Sequence, residues 1–321
     1  MCVSFLMVLL VALYHVSAYN QQVNIGTLMD NVLVLRVPHN QHSIVNVPLT
    51  CGEAYQNQPV FWKKNDEELN PALKGNQVSV VVEEMDGGNF TCHLNSPNGQ
   101  YLNHTLVLIQ PEGNTRTVIL EEQSPEEGHI HCTTPNYKGS FHCSWTRKKY
   151  TNNVSVLLVN AERSSEKIPC ELEADGSGIH CQDTGCPFKE EQHRIFLTIY
   201  IRSFFHLEVY TKAFYLREIV RPARLENLRS GDDGVFIWEY PETWEKPSTY
   251  FGLLFQIKIV RHRHSCHSDS HIMVNTTEVT QYKVNIKTKK FVFCVRAQDK
   301  YTNGPWSHWI QYTVDNRELD R

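Results

Sequence analysis

The sequence predicts an all-β chain made of three β-sandwiches in a row. Helical periodicity is nearly absent, and short apolar strands recur with turn residues between them. The 321 residues are enough for two or three domains of ordinary size. We place a leader at 1–18 and the three domains at 19–110, 111–219 and 220–321.

The first 18 residues have the pattern of a secretory signal peptide. Residues 3–13 form an apolar run that is too short to span a bilayer, and small residues allow cleavage after Ala18. The net charge of −4 offers no basic field for nucleic acid, and the polar C-terminal tail excludes a lipid-anchor signal. We therefore expect a secreted protein without membrane insertion. Its N-glycosylation sequons are at Asn89, Asn103, Asn153 and Asn275.

The first domain has the residue pattern of an immunoglobulin-like sandwich. Cys51, Trp62 and Cys92 follow the order in which a core tryptophan packs on a disulfide between two sheets. Phe90 stands where such domains usually carry a tyrosine, so we expect the corner hydrogen bond of that tyrosine to be missing. The predicted strands are 32–37, 60–63, 78–82 and 106–109.

The second domain opens with Cys132 and Cys143 on neighbouring strands, and Trp145 follows two residues later. This pattern resembles the upper module of cytokine receptors, which is a fibronectin-III-like sandwich. Within that resemblance a Cys132–Cys143 bond would join the first two strands, and Trp145 would fill the core. The further predicted strands of this domain are 154–159, 195–201 and 214–219.

The third domain carries an arginine and a tryptophan-rich segment near its end. Arg296 faces outward on a predicted strand, and the return strand brings Trp306, Ser307 and Trp309 opposite it. The segment WSHW resembles the WSxWS box of class I cytokine receptors, although the fifth position is Ile310 rather than serine. The alternative is an ordinary tryptophan-rich sheet edge. The predicted strands are 235–240, 250–260, 281–286, 291–298 and 306–314.

No pattern of an enzyme or of a cofactor site stands out in the sequence. There is no nucleophile elbow, zinc-protease motif, phosphate loop or dinucleotide fingerprint. One segment, 262–271, collects four histidines and Cys266, but alternate residues of an exposed strand bring only about two ligands together. We favour a polar hairpin there over a metal site, and we predict no catalytic residues, no cofactor and no metal. A secreted metalloenzyme is the weakest competing hypothesis.

Taken over the whole mature chain, the sequence is similar to the family of interleukin-12-type beta subunits. The most specific stretches are 214–222, 238–244, 295–301 and the WSHW segment. The resemblance implies that the chain is part of a cytokine rather than a membrane receptor. It also implies that the chain pairs covalently with a four-helix-bundle alpha subunit, of either interleukin-12 or interleukin-23.

The loops at the junction of the second and third domains, here called the elbow, bring four residues together as a candidate partner site. They are Tyr137, Tyr250, Asp299 and Tyr301. A carboxylate surrounded by aromatic rings suits an arginine, and the resemblance implies that an arginine of the alpha subunit enters this pocket. The alternative is structural, with the tyrosines stiffening the elbow and Asp299 capping the turn.

Nine cysteines remain after removal of the signal peptide, so at least one is free or bonded to another chain. Cys170 and Cys181 can close a loop, and the resemblance assigns Cys186 to an interchain disulfide. The terminal disulfide of familiar relatives is incomplete in this chain, and Cys266 and Cys294 occur instead. If those two residues pair, Cys186 is left over.

These observations lead to two readings. The first is the secreted beta subunit of a heterodimeric cytokine, which also engages receptor chains through its first domain and can form a homodimer. The second is a soluble decoy or co-receptor that binds a helical cytokine reversibly. An unpaired, exposed Cys186 favours the first.

Overall fold

The structure, a computed structural model, describes residues 24–38, 44–83, 86–96, 98–113, 117–188, 190–288 and 290–315. The predicted signal peptide and most of the C-terminal tail lie outside these residues. The described chain is almost entirely β-structure, which confirms the predicted all-β class. No helix in these ranges is long and apolar enough to cross a membrane. The chain divides into two compact units, Met1–Thr115 and Arg116–Arg321.

The first unit contains two sheets. One has the order β1-β2-β8-β7-β4-β5, and the other pairs β3 with β6. The bounds are β1 Asn24–Met29, β2 Val32–Pro38, β3 Ile44–Thr50, a 3-10 helix Glu53–Tyr55, β4 Val60–Lys64, β5 Glu67–Glu68, β6 Gln77–Glu83, β7 Gly88–Leu94 and β8 Tyr101–Glu112. Alternation sets the faces, since Val80 and Val82 are buried while Val81 between them is exposed. The Cys51–Cys92 disulfide and the indole of Trp62 lie in this core.

The second unit begins with a pair of four-stranded sheets. Their orders are β13-β14-β10-β9 and β12-β11-β15-β16. The bounds are β9 His131–Thr133, β10 Ser140–Ser144, β11 Val154–Arg163, β12 Glu166–Lys167, β13 Cys170–Leu172, β14 Gly178–Gln182, β15 Ile195–Ser203 and β16 His206–Phe214. Two disulfides, Cys132–Cys143 and Cys170–Cys181, cross the first sheet between neighbouring strands. Trp145 is buried between the sheets, and its indole N–H donates to the carbonyl of Gly176 over 3.0 Å.

A short helix and a second pair of sheets complete this unit. The sheet orders are β17-β18-β21 and β20-β19-β22-β23. The bounds are α1 Leu216–Ile219, β17 Glu226–Ser230, a 3-10 helix Asp232–Gly234, β18 Val235–Glu239, β19 Leu253–Arg261, β20 Met273–Thr277, β21 Gln281–Lys283, β22 Phe291–Asp299 and β23 Ile310–Val314. Phe236, Trp238 and Phe293 form an aromatic core, with 4.1 Å between the stacked rings of Phe236 and Phe293. Cys266 is bonded to Cys294.

Two strand predictions were wrong in instructive ways. Within the predicted strand 214–219, Phe214 is the last residue of β16, and Leu216–Ile219 form the single turn α1, because the Glu218 carboxylate accepts the N–H of Tyr215 over 3.0 Å as in a capping box. Trp306 and Trp309 precede the return strand, which begins only at Ile310. The hydroxyl of Ser307 accepts the N–H of Ala297 over 2.9 Å, so a side chain replaces a ladder bond there.

Candidate partner-binding site

The elbow is tied together by backbone hydrogen bonds within the second unit. Thr134 donates its N–H to the carbonyl of Ile219 over 3.1 Å, and Arg221 donates its N–H to the carbonyl of Thr134 over 2.8 Å. The Nε of Arg221 also donates to the carbonyl of Trp306 over 3.0 Å. The loops that carry the predicted site residues are therefore held against one another by direct bonds.

At the centre of the elbow, Tyr137 meets Asp299, and both side chains are buried. The Tyr137 hydroxyl donates to Oδ2 of Asp299 over 3.3 Å. The phenol ring packs edge-on against Trp244, at 6.1 Å between ring centroids, and lies 5.7 Å from the ring of Phe251. Burial and the neighbouring Asp299 carboxylate raise the pKa of Tyr137, so its hydroxyl stays a neutral donor at physiological pH.

The other oxygen of Asp299 organises the turn that follows β22. Its Oδ1 accepts the backbone N–H of Tyr301 over 2.8 Å and that of Thr302 over 3.0 Å. The turn then passes so close to the elbow that a Cβ on Gly304 would sit 2.8 Å from the carbonyl oxygen of Val220. Asp299 thus divides its two oxygens between the turn and the pocket, which is the structural role foreseen as the alternative.

Tyr250 and Tyr301 lie on the solvent side of this pair. They are 40% and 56% exposed. The Tyr250 hydroxyl donates to Glu190 over 3.3 Å, and its ring packs edge-on against Phe251. The Tyr301 hydroxyl donates to the carbonyl of Thr249 over 3.3 Å. These two rings are therefore exposed aromatic surface of the elbow that also holds the buried carboxylate.

Cys186 lies at the same elbow. It is the one free cysteine among the described residues, and its side chain is partly buried. Its thiol donates to the backbone carbonyl of Tyr137 over 3.3 Å. Burial raises the pKa of the Cys186 thiol, so the protonated form prevails at neutral pH. The free thiol and the buried carboxylate are therefore linked through a single residue.

The loop that carries Cys186 is anchored on both sides by charge. Arg163 reaches Asp183 before the cysteine over 2.5 Å and Glu191 after it over 2.8 Å. Glu191 also accepts the N–H of Leu216 over 2.8 Å. A Cβ on Gly139 would overlap the carbonyl of Asp183, so only glycine allows this close approach. Sequence reasoning missed this anchor, because its members are far apart in the chain and none belongs to a motif.

The arginine and tryptophan cluster predicted for the third domain assembles as a stack. The guanidinium carbon of Arg296 lies 4.9 Å from the ring centroid of Trp306 and 4.3 Å from that of Trp309. Nε of Arg296 donates to the side chain of Gln256 over 2.8 Å, and Ser307, between the two tryptophans in sequence, is buried. These contacts stabilise the irregular segment before β23 and do not involve the elbow tyrosines.

The four sequons differ in how their asparagines are placed. Asn153 and Asn275 are exposed. Asn103 already donates its Nδ2 to the carbonyl of Cys51 over 3.0 Å, and Asn89 is only partly exposed. Glycosylation at these positions remains a prediction, and Asn153 offers the more accessible amide, because the Nδ2 of Asn275 donates to the hydroxyl of Tyr282 over 2.8 Å.

Comparison with known proteins finds a matching family model and several similar proteins. Residues 127–203 match a family model described as the C-terminus of cytokine interleukin-12p40. The chain is 29% identical to interleukin-12 subunit beta of Mesocricetus auratus over 289 residues, which covers 82% of this chain and 85% of the relative. It is 27% identical to interleukin-12 subunit beta of Homo sapiens over 287 residues, covering 82% and 84%.

A third relative, interleukin-12 subunit beta of Sigmodon hispidus, is 28% identical over 294 residues and covers 84% of this chain and 86% of its own. The predicted resemblance is confirmed, since the chain is similar to interleukin-12 beta subunits over more than four-fifths of its length. These relatives are cytokine subunits rather than enzymes, in agreement with the prediction of a non-enzymatic protein.

Proposed function

We propose that this chain is the secreted beta subunit of a heterodimeric cytokine of the interleukin-12 and interleukin-23 type. It holds a four-helix-bundle alpha subunit at the elbow and is bonded to it through Cys186. The strongest support is that Cys186 and Asp299 both contact the same residue, Tyr137. The free thiol of Cys186 touches the backbone of Tyr137, and the hydroxyl of the same tyrosine reaches the buried Asp299. Covalent and noncovalent attachment would thus share one small region.

The noncovalent part of this proposal rests on the different roles of the two carboxylate oxygens of Asp299. Oδ1 holds the turn, so an arginine of the partner would approach Oδ2, the oxygen that faces Tyr137. The guanidinium would pass between the exposed rings of Tyr250 and Tyr301, which then exclude water from the ion pair. A charge-assisted hydrogen bond between aromatic walls is the typical arrangement of an interface hot spot.

The covalent part needs a second thiol and an oxidant. Two thiols become a disulfide when they lose two protons and two electrons, and a disulfide oxidoreductase of the secretory pathway accepts these electrons. Because burial raises the pKa of Cys186, its thiolate is scarce before docking. We therefore expect noncovalent docking first and bond formation afterwards.

Co-expression with a four-helix-bundle alpha subunit tests the proposal. On a non-reducing gel the wild-type pair should migrate as one reducible heterodimer, whereas Cys186→Ser should give two separate bands. The Cys186→Ser chains should still co-elute in gel filtration, because the pocket is intact. Separate elution of wild-type chains, with a free thiol in both, would overturn the proposal.

A soluble decoy or co-receptor is the second candidate. Two observations favour it. The Asp299 carboxylate accepts hydrogen bonds from its own turn, and Cys186 is partly buried, so both residues make contacts within the chain itself. A decoy would bind a complete cytokine reversibly and would show no crosslink in any co-expression.

Receptor engagement through the first domain and a Cys186-linked homodimer belong to the leading proposal. The homodimer predicts a reducible band of twice the chain mass when the chain is expressed alone. Cys186→Ser should abolish that band.

A further inference from the structure

The outer face of the sheet β13-β14-β10-β9 carries two histidines and a glutamate whose ligand atoms converge. His142 on β10 and His180 on β14 are direct cross-strand partners, with 4.5 Å between their ring centroids. Oε1 of Glu173, just after β13, lies 3.0 Å from Nε2 of His142 and 3.2 Å from Nε2 of His180. Among the described residues, this is the one group of three or more such side chains within 4.8 Å of one another.

The backbones that carry the two imidazoles are held in place by covalent bonds. His142 precedes Cys143, which is bonded to Cys132 on β9. His180 precedes Cys181, which is bonded to Cys170 on β13. Because side chains alternate along a strand, the half-cystines point into the core while both histidines point to the outer face. The imidazoles are therefore presented from a rigid, four-stranded platform.

The glutamate is positioned by hydrogen bonds. Its backbone N–H donates to the carbonyl of Gly178 over 2.9 Å, and the hydroxyl of Ser177 lies 3.1 Å from its Oε2 and 2.7 Å from Oδ1 of Asp175, so the two carboxylates share this one donor. A Cβ on Gly178 would sit 2.6 Å from Oε2, so glycine at this position leaves room for the carboxylate. With Ser177 and Gly178 beside Oε2, Oε1 is the oxygen that faces the histidines, an arrangement in which outer-shell groups help to orient a metal ligand.

We propose that His142, Glu173 and His180 form a binding site for a divalent transition-metal ion, and that this ion is Zn²⁺. Two imidazole nitrogens and one carboxylate oxygen are a donor set that zinc accepts, with a fourth position left for water. In a tetrahedral zinc site, donors at about 2.0–2.1 Å from the ion are roughly 3.3 Å from each other. The two distances from Glu173 are close to that value, so little movement is needed.

The donor set also excludes the hard cations. Ca²⁺ and Mg²⁺ take oxygen ligands, and two of the three donors here are nitrogens. Cu²⁺ binds such sites at least as tightly as Zn²⁺, so it serves as a second probe. The site shares no residue with the elbow, and its failure would leave the proposed function untouched.

Zinc binding to the full-length secreted chain, produced without a histidine tag, tests the proposal. Equilibrium dialysis followed by metal analysis should find one Zn²⁺ per chain, and Ca²⁺ should not compete. His180→Gln and Glu173→Gln should each weaken zinc binding at least about tenfold, and Ser177→Ala should weaken it to a smaller extent. Added Zn²⁺ should raise the Tm of the wild type but not that of His180→Gln.

The matched controls come from the other histidine-rich segment. His264 and His271 are exposed and lie outside the proposed site, so His264→Gln and His271→Gln should bind zinc as the wild type does. His180 is the most exposed of the three proposed ligands, with 66% of its side chain accessible, so its replacement should not disturb folding. The proposal is overturned if wild type and His180→Gln bind zinc equally, or if the control variants lose the ion.

Discussion

Two residues of the strand β22, Arg296 and Asp299, teach different lessons about this molecule. Arg296 lies within the strand and stacks on two tryptophans that follow it by only ten and thirteen positions. Asp299 ends the strand and meets Tyr137, which is 162 positions earlier in the chain. The Arg296 stack forms within one sandwich and stabilises the segment before β23. The pair of Asp299 and Tyr137 forms only where two sandwiches meet, and it carries the features of a binding site.

The largest effect should come from removing the Asp299 carboxylate. In a Cys186→Ser background, Asp299→Ala should weaken noncovalent pairing with the alpha subunit by about 3–5 kcal/mol, because a buried arginine would lose its counter-charge. Titration of the two purified chains measures this.

Asp299→Asn separates the two roles of the residue. Its amide oxygen still accepts the turn N–H groups of Tyr301 and Thr302, so the fold should be retained, yet the charge is gone. Asp269→Asn, in an exposed hairpin, is the matched control and should pair normally. Normal pairing of Asp299→Asn would contradict the pocket mechanism.

The hydroxyl of Tyr137 tests the link between the two sandwiches. Tyr137→Phe keeps the ring that packs on Trp244 and Phe251 but removes the donor to Asp299. We expect the free energy of unfolding to fall by about 1.5–3 kcal/mol, the usual contribution of a hydrogen bond to a charged group. Denaturant unfolding measures it, and Tyr301→Phe, which loses an exposed hydroxyl, should lose less than about 1 kcal/mol. Equal losses in the two variants would show that the buried bond has no special role.

A smaller effect is expected at Arg296, which stacks on the two tryptophans. Arg296→Ala should lower the free energy of unfolding by about 1–2 kcal/mol, since it removes cation–π contact with Trp306 and Trp309. Arg296→Lys should lose only part of this, because it keeps the charge but not the planar stack. Neither variant should change affinity for the alpha subunit. A pairing defect in Arg296→Ala that exceeds its loss of stability would contradict the separate roles of Arg296 and Asp299.

Sequence reasoning succeeded where a pattern was local. Short apolar segments between turn residues predicted β2, β6 and β15, and the WSHW segment predicted the stack on Arg296. It failed where a local pattern was ambiguous. The segment 214–219 has the composition of a strand, but only Phe214 belongs to one, because the Glu218 carboxylate accepts the N–H of Tyr215 and Leu216–Ile219 form a helical turn.

The site was harder to predict than the fold, for a physical reason. Asp299 and the three tyrosines could be proposed only by joining loop ends across two sandwiches and by family resemblance. Neither approach identified Glu190 as a partner of Tyr250, or Arg163 as the anchor of the Cys186 loop. The histidines singled out in the sequence were neighbours along the chain, whereas the convergent ones are neighbours across strands.

The smallest effect concerns the thiol of Cys186, which lies at the elbow with Tyr137 and Asp299. A pKa raised by burial leaves less thiolate at neutral pH than an ordinary cysteine has, with its pKa of about 8.5. Alkylation of Cys186 by iodoacetamide, followed by mass spectrometry, should therefore be slower than that of a cysteine peptide at about pH 7.5. It should continue to accelerate above the pH at which the peptide levels off. Cys186→Ser provides the blank. A rate that levels off earlier than that of the peptide would mean that the elbow stabilises the thiolate, and then bond formation would not have to wait for docking.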